Sequence, residues 1–153
     1  MKIREAIPAD GDAIRAIVAE TLAEFGFPLE SGGVDADLDD IHAAYQQRGG
    51  SFRVLVDDND VVVGCGGLYP MNEQTAELRK MYFRPEVRGR GLGRKLLMDL
   101  VSQAKTIGFD RIVLETASNL TAAMRLYESY GFTETSDAKH SCRCDRTYML
   151  RLR

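Results

Sequence analysis

The sequence predicts one α/β domain, and three observations predict it. Segments with β-type patterning alternate with segments of helical spacing along the whole chain. Hydrophobic residues make up 44% and charged residues 28% of the 153 positions, a globular composition. No internal repeat, linker or low-complexity segment breaks the pattern, so residues 1–153 read as a single domain long enough for its own core.

The elements follow in order. Residues 2–7 (KIREAI) alternate as a first strand, which Pro8 closes, and Asp10 or Asp12 can cap what comes next. From Ala13 to Phe25, Ile14, Ile17, Val18 and Leu22 fall at helical spacing. Residues 26–35 (GFPLESGGVD) are a loop, and a second helix is expected from Ala36 to Gln47, ended by Gly49 and Gly50. Phe52–Val56 and Val61–Tyr69 form a hairpin about the turn at residues 57–60 (DDND), and Thr75–Phe83 is the next strand, stopped by Pro85. A helix starting at Gly91 carries Leu92, Leu96, Leu97, Leu100, Val101, Ala104 and Ile107 on one stripe and ends at Gly108. Arg111–Glu115 is an apolar strand. Asn119 opens a further helix with Leu120, Ala123, Met124, Tyr127 and Tyr130 on one side, and Phe132–Thr135 and Arg146–Leu152 are the last two strands. The chain therefore reads β-α-α-β-β-β-α-β-α-β-β.

Composition excludes several classes. The net charge of −3 does not suit a chain that lies on nucleic acid or on an anionic membrane. No apolar run is long enough to span a bilayer, and MKIREAIPAD lacks the apolar core and cleavage site of a signal peptide. Cys65, Cys142 and Cys144 are an odd set without a disulfide framework, so a reducing cytoplasm is the expected setting.

Positive charge is concentrated in residues 84–97 (RPEVRGRGLGRKLL), where Gly89, Gly91 and Gly93 alternate with Arg88, Arg90 and Arg94 just before a helix. Such a strand–glycine–helix passage bares backbone N–H groups at a helix N-terminus and makes an anion site. A P-loop needs GxxxxGK[ST], but the residue five after Gly89 is Arg94 and no Lys-Ser or Lys-Thr pair follows. A dinucleotide fingerprint needs GxGxxG, and Arg94 stands where its third glycine belongs. What fits is R-x-x-G-x-G, at Arg88, Gly91 and Gly93.

That pattern resembles the acyl-CoA pyrophosphate loop of the GNAT superfamily of N-acetyltransferases. ELRKMYFRPEVRGRGLGRKLL, an apolar strand, and then NLTAAMRLYESYGF are similar to that superfamily in order and spacing, over residues 77–132 and more loosely beyond them. The resemblance implies a GNAT-like α+β fold: a mixed central sheet of about seven strands flanked by about four helices, with strands splayed around the CoA loop. It implies an enzyme that moves an acetyl group from acetyl-CoA to an amine by direct attack in a ternary complex, with no metal. It leaves the amine, a small molecule or a protein group, unidentified, and allows a homodimer. The alternative is a CoA-binding sensor with the same fold and little turnover, against which Glu77 and Tyr127 weigh.

By the same resemblance, the amides of Arg88, Gly89, Arg90, Gly91, Leu92, Gly93 and Arg94 hold the CoA pyrophosphate. Met81, Tyr82 and Phe83 offer backbone groups to the pantetheine arm, with the strand Arg111–Glu115 as the opposite wall. Asn119 stands where the superfamily often has a pantetheine or pyrophosphate contact, although asparagine is also among the best helix caps. Tyr127 stands where many members have a tyrosine near the thioester sulfur. A phenol of ordinary pKa about 10 can protonate a thiolate of about 8.5 while staying neutral at rest; the competing reading is a core tyrosine on an apolar face. Glu77 stands where some members have the base that takes the proton of the attacking amine. It could equally be a strand carboxylate paired with Arg79 or Lys80, with Glu115 or water as the base.

Other residues carry less. Cys65 lies in VVVGCGGLY and reads as a small core residue rather than a nucleophile. His140, Cys142 and Cys144 form H-x-C-x-C without a clear fourth metal ligand. His42 reads as a helix surface residue. For the acceptor, the resemblance points to Phe27, Glu30 and Asp35 and to Arg143, Asp145 and Tyr148. The acidic run in residues 30–40 suits either a cationic amine or a solvated surface.

Overall fold

The structure is a computed structural model and describes residues 1–118, 120–136 and 143–152. Its strands are β1 (Lys2–Glu5), β2 (Ser51–Val56), β3 (Val62–Pro70), β4 (Thr75–Phe83), β5 (Arg111–Thr116), β6 (Thr133–Thr135) and β7 (Arg146–Arg151). Its α-helices are α1 (Gly11–Glu24), α2 (Ile41–Ala44), α3 (Leu92–Ile107) and α4 (Thr121–Tyr130). The strands form one mixed sheet in the order β1-β2-β3-β4-β5-β7-β6. Among the described residues, the β4–β5 pair is parallel and the other pairs are antiparallel.

The alternation within the strands sorts side chains onto two faces. Leu68, Ala76, Leu78, Ile112 and Leu114 pack with Leu96, Leu97, Leu100 and Ala104 of α3 and with Tyr127 of α4. Phe52, Val54, Val62 and Cys65 pack on the other face with Ile14, Ile17, Val18 and Leu22 of α1 and with Leu38, Ile41 and Tyr45. Each fully buried leucine of α3 contributes on the order of 2 kcal/mol by removal from water. Gly67 lets two large rings meet the sheet: a Cβ there would lie 2.6 Å from Tyr45 and 2.7 Å from Phe52.

The expected second helix over Ala36–Gln47 is broken. A 3-10 turn spans Ala36–Leu38, α2 holds four residues, and another 3-10 turn spans Gln46–Arg48. Aspartates cause the break by bonding elsewhere than along a helix. Asp40 leaves helical geometry at φ −146° and accepts from the Ala43 N–H as the cap of α2. Asp35 and Asp37 are drawn inward by Lys80. Asp10 also departs from its expected role: its carboxylate binds Arg4 and the Ile7 N–H rather than capping α1.

Candidate active site

The sheet opens in its middle. β4 and β5 pair only at Thr75–Arg111, Ala76–Ile112 and Glu77–Val113, after which β4 runs on to Phe83 beside β3 while β5 runs to Thr116 beside β7. The splay expected from the resemblance is therefore present, with Glu77 at its apex.

At the wide end of the fork lies the glycine loop. Gly89 and Gly91 both have φ +75°, in the left-handed region where a side chain costs about 1–2 kcal/mol, and a Cβ on either would meet open space. Gly93 is set differently: a Cβ there would lie 3.2 Å from Leu126 of α4. Gly91 is the N-cap of α3 and brings no side-chain cap. The first helical bond is Lys95 N–H to the Gly91 carbonyl, so among the described residues no hydrogen bond takes up the N–H groups from Gly89 to Arg94. A bare, positive-ended helix start with open space above it is what an anion needs.

Arg88 is placed otherwise. Its N–H is held by the Pro85 carbonyl, and its guanidinium bridges the Phe83 carbonyl at 2.9 Å and Glu24 at 2.7 and 2.8 Å. It thus braces the end of β4 against α1. Arg90 is exposed, and Arg94 lies 5.5 Å from the Tyr130 ring. These two carry the charge beside the open glycines.

Bulge geometry distinguishes the middle of β4. Cys65 pairs with Tyr82 but Gly67 pairs with Arg79, so β4 carries one extra residue there, and Lys80 has φ +57°. The bulge turns Arg79 and Lys80 to the α1 face and Met81 to the α3 face. Two tethers hold this strained residue. The Cys65 thiol donates to the Lys80 carbonyl at 3.2 Å, and the Lys80 ammonium meets Asp35 at 3.0 Å and Asp37 at 3.4 Å. Burial pushes the Cys65 thiol up to about 12, which removes the thiolate that a covalent route would require. Burial likewise pushes Tyr82 up to about 12, with Cys144 and Cys65 adding to it.

Tyr127 sits in the α3–α4 core and is 7% exposed. Its ring lies 5.7 Å from that of Phe132. Burial, then the neighbouring Tyr82 and Cys144, push its phenol up, and among the described residues no hydrogen bond engages the hydroxyl. The phenol is therefore neutral and holds its proton more firmly than an ordinary tyrosine. Glu77 lies on the opposite face, bonded to Arg79, whose guanidinium lies 3.8 Å over the Tyr69 ring. The immediate partners of these two residues differ.

Of the suggested acceptor residues, four come together. Arg143 binds both oxygens of Asp35 at 3.0 and 2.8 Å, the Pro28 carbonyl at 2.8 Å and Glu30 at 3.3 Å, and lies 5.9 Å from the Phe27 ring. Burial alone would raise the Asp35 carboxyl, but hydrogen bonds from Arg143, the Glu30 N–H and Lys80 outweigh it and hold it at about 2. Asp145 and Tyr148 are elsewhere: Asp145 binds the Ser118 N–H and hydroxyl, and Tyr148 donates to Glu128 of α4. Glu115 lies on β5 opposite Thr147. Asn119, His140 and Cys142 lie outside the described residues. The sequence reading missed Tyr69, Asp37, Arg79 and Lys80 as a group. Their signal was the spacing in LRKM, where apolar Leu78 and Met81 are three apart and so out of step with a regular strand.

Known proteins share the family and the fold. The model of a family described as Acetyltransferase (GNAT) family matches residues 14–132. The uncharacterized N-acetyltransferase YjgM of Escherichia coli K12 is 38% identical over 128 residues, spanning 80% of this chain and 76% of that protein. An acetyltransferase of the GNAT family from Staphylococcus aureus Mu50 shares the fold with a TM-score of 0.92 at 23% identity, over 99% of each chain. The Salmonella typhimurium yncA structure, solved with its cofactor acetyl-CoA, has a TM-score of 0.79 at 27% identity, over 100% of this chain and 94% of that one.

Proposed function

The chain belongs to the GNAT family of acetyltransferases, and from that premise we propose that it transfers the acetyl group of acetyl-CoA to a primary amine by direct attack in a ternary complex. The observation that carries this reading is the strand fork ending at an uncapped, glycine-bared helix start. The yncA relative holds acetyl-CoA on the same fold.

In this reading the pyrophosphate accepts from the N–H groups of Gly89 to Arg94, and the pantetheine arm lies in the fork against the backbone of Met81, Tyr82 and Phe83. The amine must first be neutral, because an ammonium has no lone pair; Glu77 takes that proton, directly or through water. The nitrogen then attacks the thioester carbon, whose oxygen is polarised by a β4 N–H. The C–N bond forms, the C–S bond breaks, and the departing thiolate receives the proton of the Tyr127 hydroxyl. The attacking nitrogen carries one proton too many once the C–N bond has formed; losing it to the phenolate, directly or through water, leaves the neutral amide and restores the phenol. Free thiols suit a reducing compartment such as the cytoplasm.

Thermal denaturation beside acetyl-CoA, CoA, NAD and ATP tests the first half. At about 100 times its Kd a ligand adds about 2.7 kcal/mol, a shift of several degrees. A response to the two CoA species alone supports the reading, and a response to NAD or ATP alone overturns it. Thiol release from acetyl-CoA across an amine panel tests the second half. Tight CoA binding without release for any amine would mark a sensor instead.

A further inference from the structure

We infer that the acceptor is an amine that also carries a carboxylate, an amino acid rather than a polyamine, and that Arg79 is the residue that selects it. The inference rests on the proposed acetyl transfer and names the substrate class of that site.

The acidic stretch beside the fork looks from sequence like a trap for cations, but its carboxylates already have cationic neighbours, and one oxygen, Asp37 Oδ1, is left without a hydrogen bond. Asp35 is held by Arg143 and Lys80. Asp37 meets Lys80 and accepts from the Tyr45 hydroxyl. Both side chains are almost wholly buried, at 0% and 5% exposed. A second ammonium could reach Asp35 only by displacing Lys80 or Arg143, which leaves Asp37 Oδ1 as the acceptor open to the amine of an amino acid.

Unused hydrogen-bonding capacity is found on both signs of charge, at Asp37 Oδ1 and on the Arg79 cation. A cavity of about 320 Å³ opens on this face beside Val34, Ala36, Asp37, Tyr69 and Arg79. That volume falls at the small-molecule end of ligand pockets. Arg79 uses only its Nε, toward Glu77; among the described residues, both of its Nη groups lack a hydrogen-bond partner. The Arg79 guanidinium lies over the Tyr69 ring, 3.8 Å from its centre, and Arg48 lies over the same ring at 4.7 Å. A planar, pre-positioned fork of N–H donors matches a carboxylate in two parallel bonds. Glu77 lies two positions before Arg79 on the same face of β4, at the apex of the fork. One residue can therefore hold the carboxylate while the other faces the amine.

The test measures binding to the protein saturated with CoA, so that it does not depend on turnover. The twenty common L-amino acids are compared with their primary amides and with spermidine by thermal shift, followed by calorimetry on those that respond. We expect at least one amino acid to bind about 10- to 100-fold more tightly than its amide, the worth of a hydrogen-bonded charge pair. We expect Arg79→Gln to bring that ratio close to one, and Arg79→Lys to restore part of it. Equal binding of acid and amide, tighter binding of spermidine, or no response to any amino acid overturns the assignment. The acid-to-amide comparison uses the unaltered protein and stands even where Arg79→Gln fails to fold. If an amino acid binds as expected but releases no thiol from acetyl-CoA, it is the acetyl-transfer reading that fails and not the recognition by Arg79.

Discussion

Gly91 offers a substitution in which stability and ligand affinity can be separated. With φ +75° and no atom within 4 Å of where a Cβ would stand, Gly91→Ala meets no collision within the protein. Its cost to the free protein is the left-handed backbone alone, about 1–2 kcal/mol. For a chain of this size that lowers Tm by about 2–8 °C. Gly91→Asp carries the same backbone cost and adds a negative charge beside the proposed pyrophosphate. At about 4 Å that repulsion lies between about 1 kcal/mol in water and about 4 kcal/mol near a protein surface. The acetyl-CoA Kd should therefore rise about 5- to several-hundred-fold, and further than for alanine. Gly108 ends the same helix at φ +111° with equally open space, so Gly108→Ala should lose stability without losing affinity. Calorimetric titration with acetyl-CoA and with S-acetylpantetheine, which lacks the pyrophosphate, completes the assay. Unchanged acetyl-CoA affinity in Gly91→Asp, or an equal loss for S-acetylpantetheine, would refute an anion site at this helix start.

Tyr127→Phe keeps the packing against Phe132 and removes only the hydroxyl, so kcat should fall about 100-fold with the acetyl-CoA Kd unchanged; a matching loss of affinity would assign Tyr127 to packing alone. Glu77→Gln should lower kcat to a similar degree and flatten the acid limb of the pH–rate profile, whereas an unaltered profile would move the base to Glu115 or to water. Asp35 is depressed from its ordinary 3.8 to about 2. Its contribution of about 2 kcal/mol is thus present above about pH 4 and lost as pH falls through about 2. Urea unfolding across that window should show the loss, and Asp35→Asn should show a smaller pH dependence; equal slopes would contradict the buried ion-pair account. Leu100→Ala should cost about 2–5 kcal/mol, because Leu100 is fully buried between α3 and the sheet, and a small effect on Tm would mean that this face repacks.

Local signals carried much of the architecture. The α3 stripe, the Gly108 stop and the strand Thr75–Phe83 stand in the structure close to where spacing and turn residues put them. The second helix did not form as expected, because its aspartates bond to Lys80, Arg143 and Tyr45, partners whose pairing outweighs helix propensity. The glycine loop was legible because a glycine-bared helix start is built from consecutive residues. The cavity beside Arg79 was not, because it joins β3, β4 and the segment between α1 and α2.

By itself, the sequence determined the alternation of elements, the glycine-bared helix start and the family, since each depends on the order and spacing of neighbouring residues. Tertiary structure alone decided how β4 and β5 part after Glu77, that Lys80 sits in a bulge, and which charges cancel. The physical reason is that a charge acts through its surroundings. Asp35 and Asp37 read as open acid until Lys80 and Arg143 are seen to neutralise them, and Arg79 reads as one more strand cation until its Nη groups are found beside an open cavity.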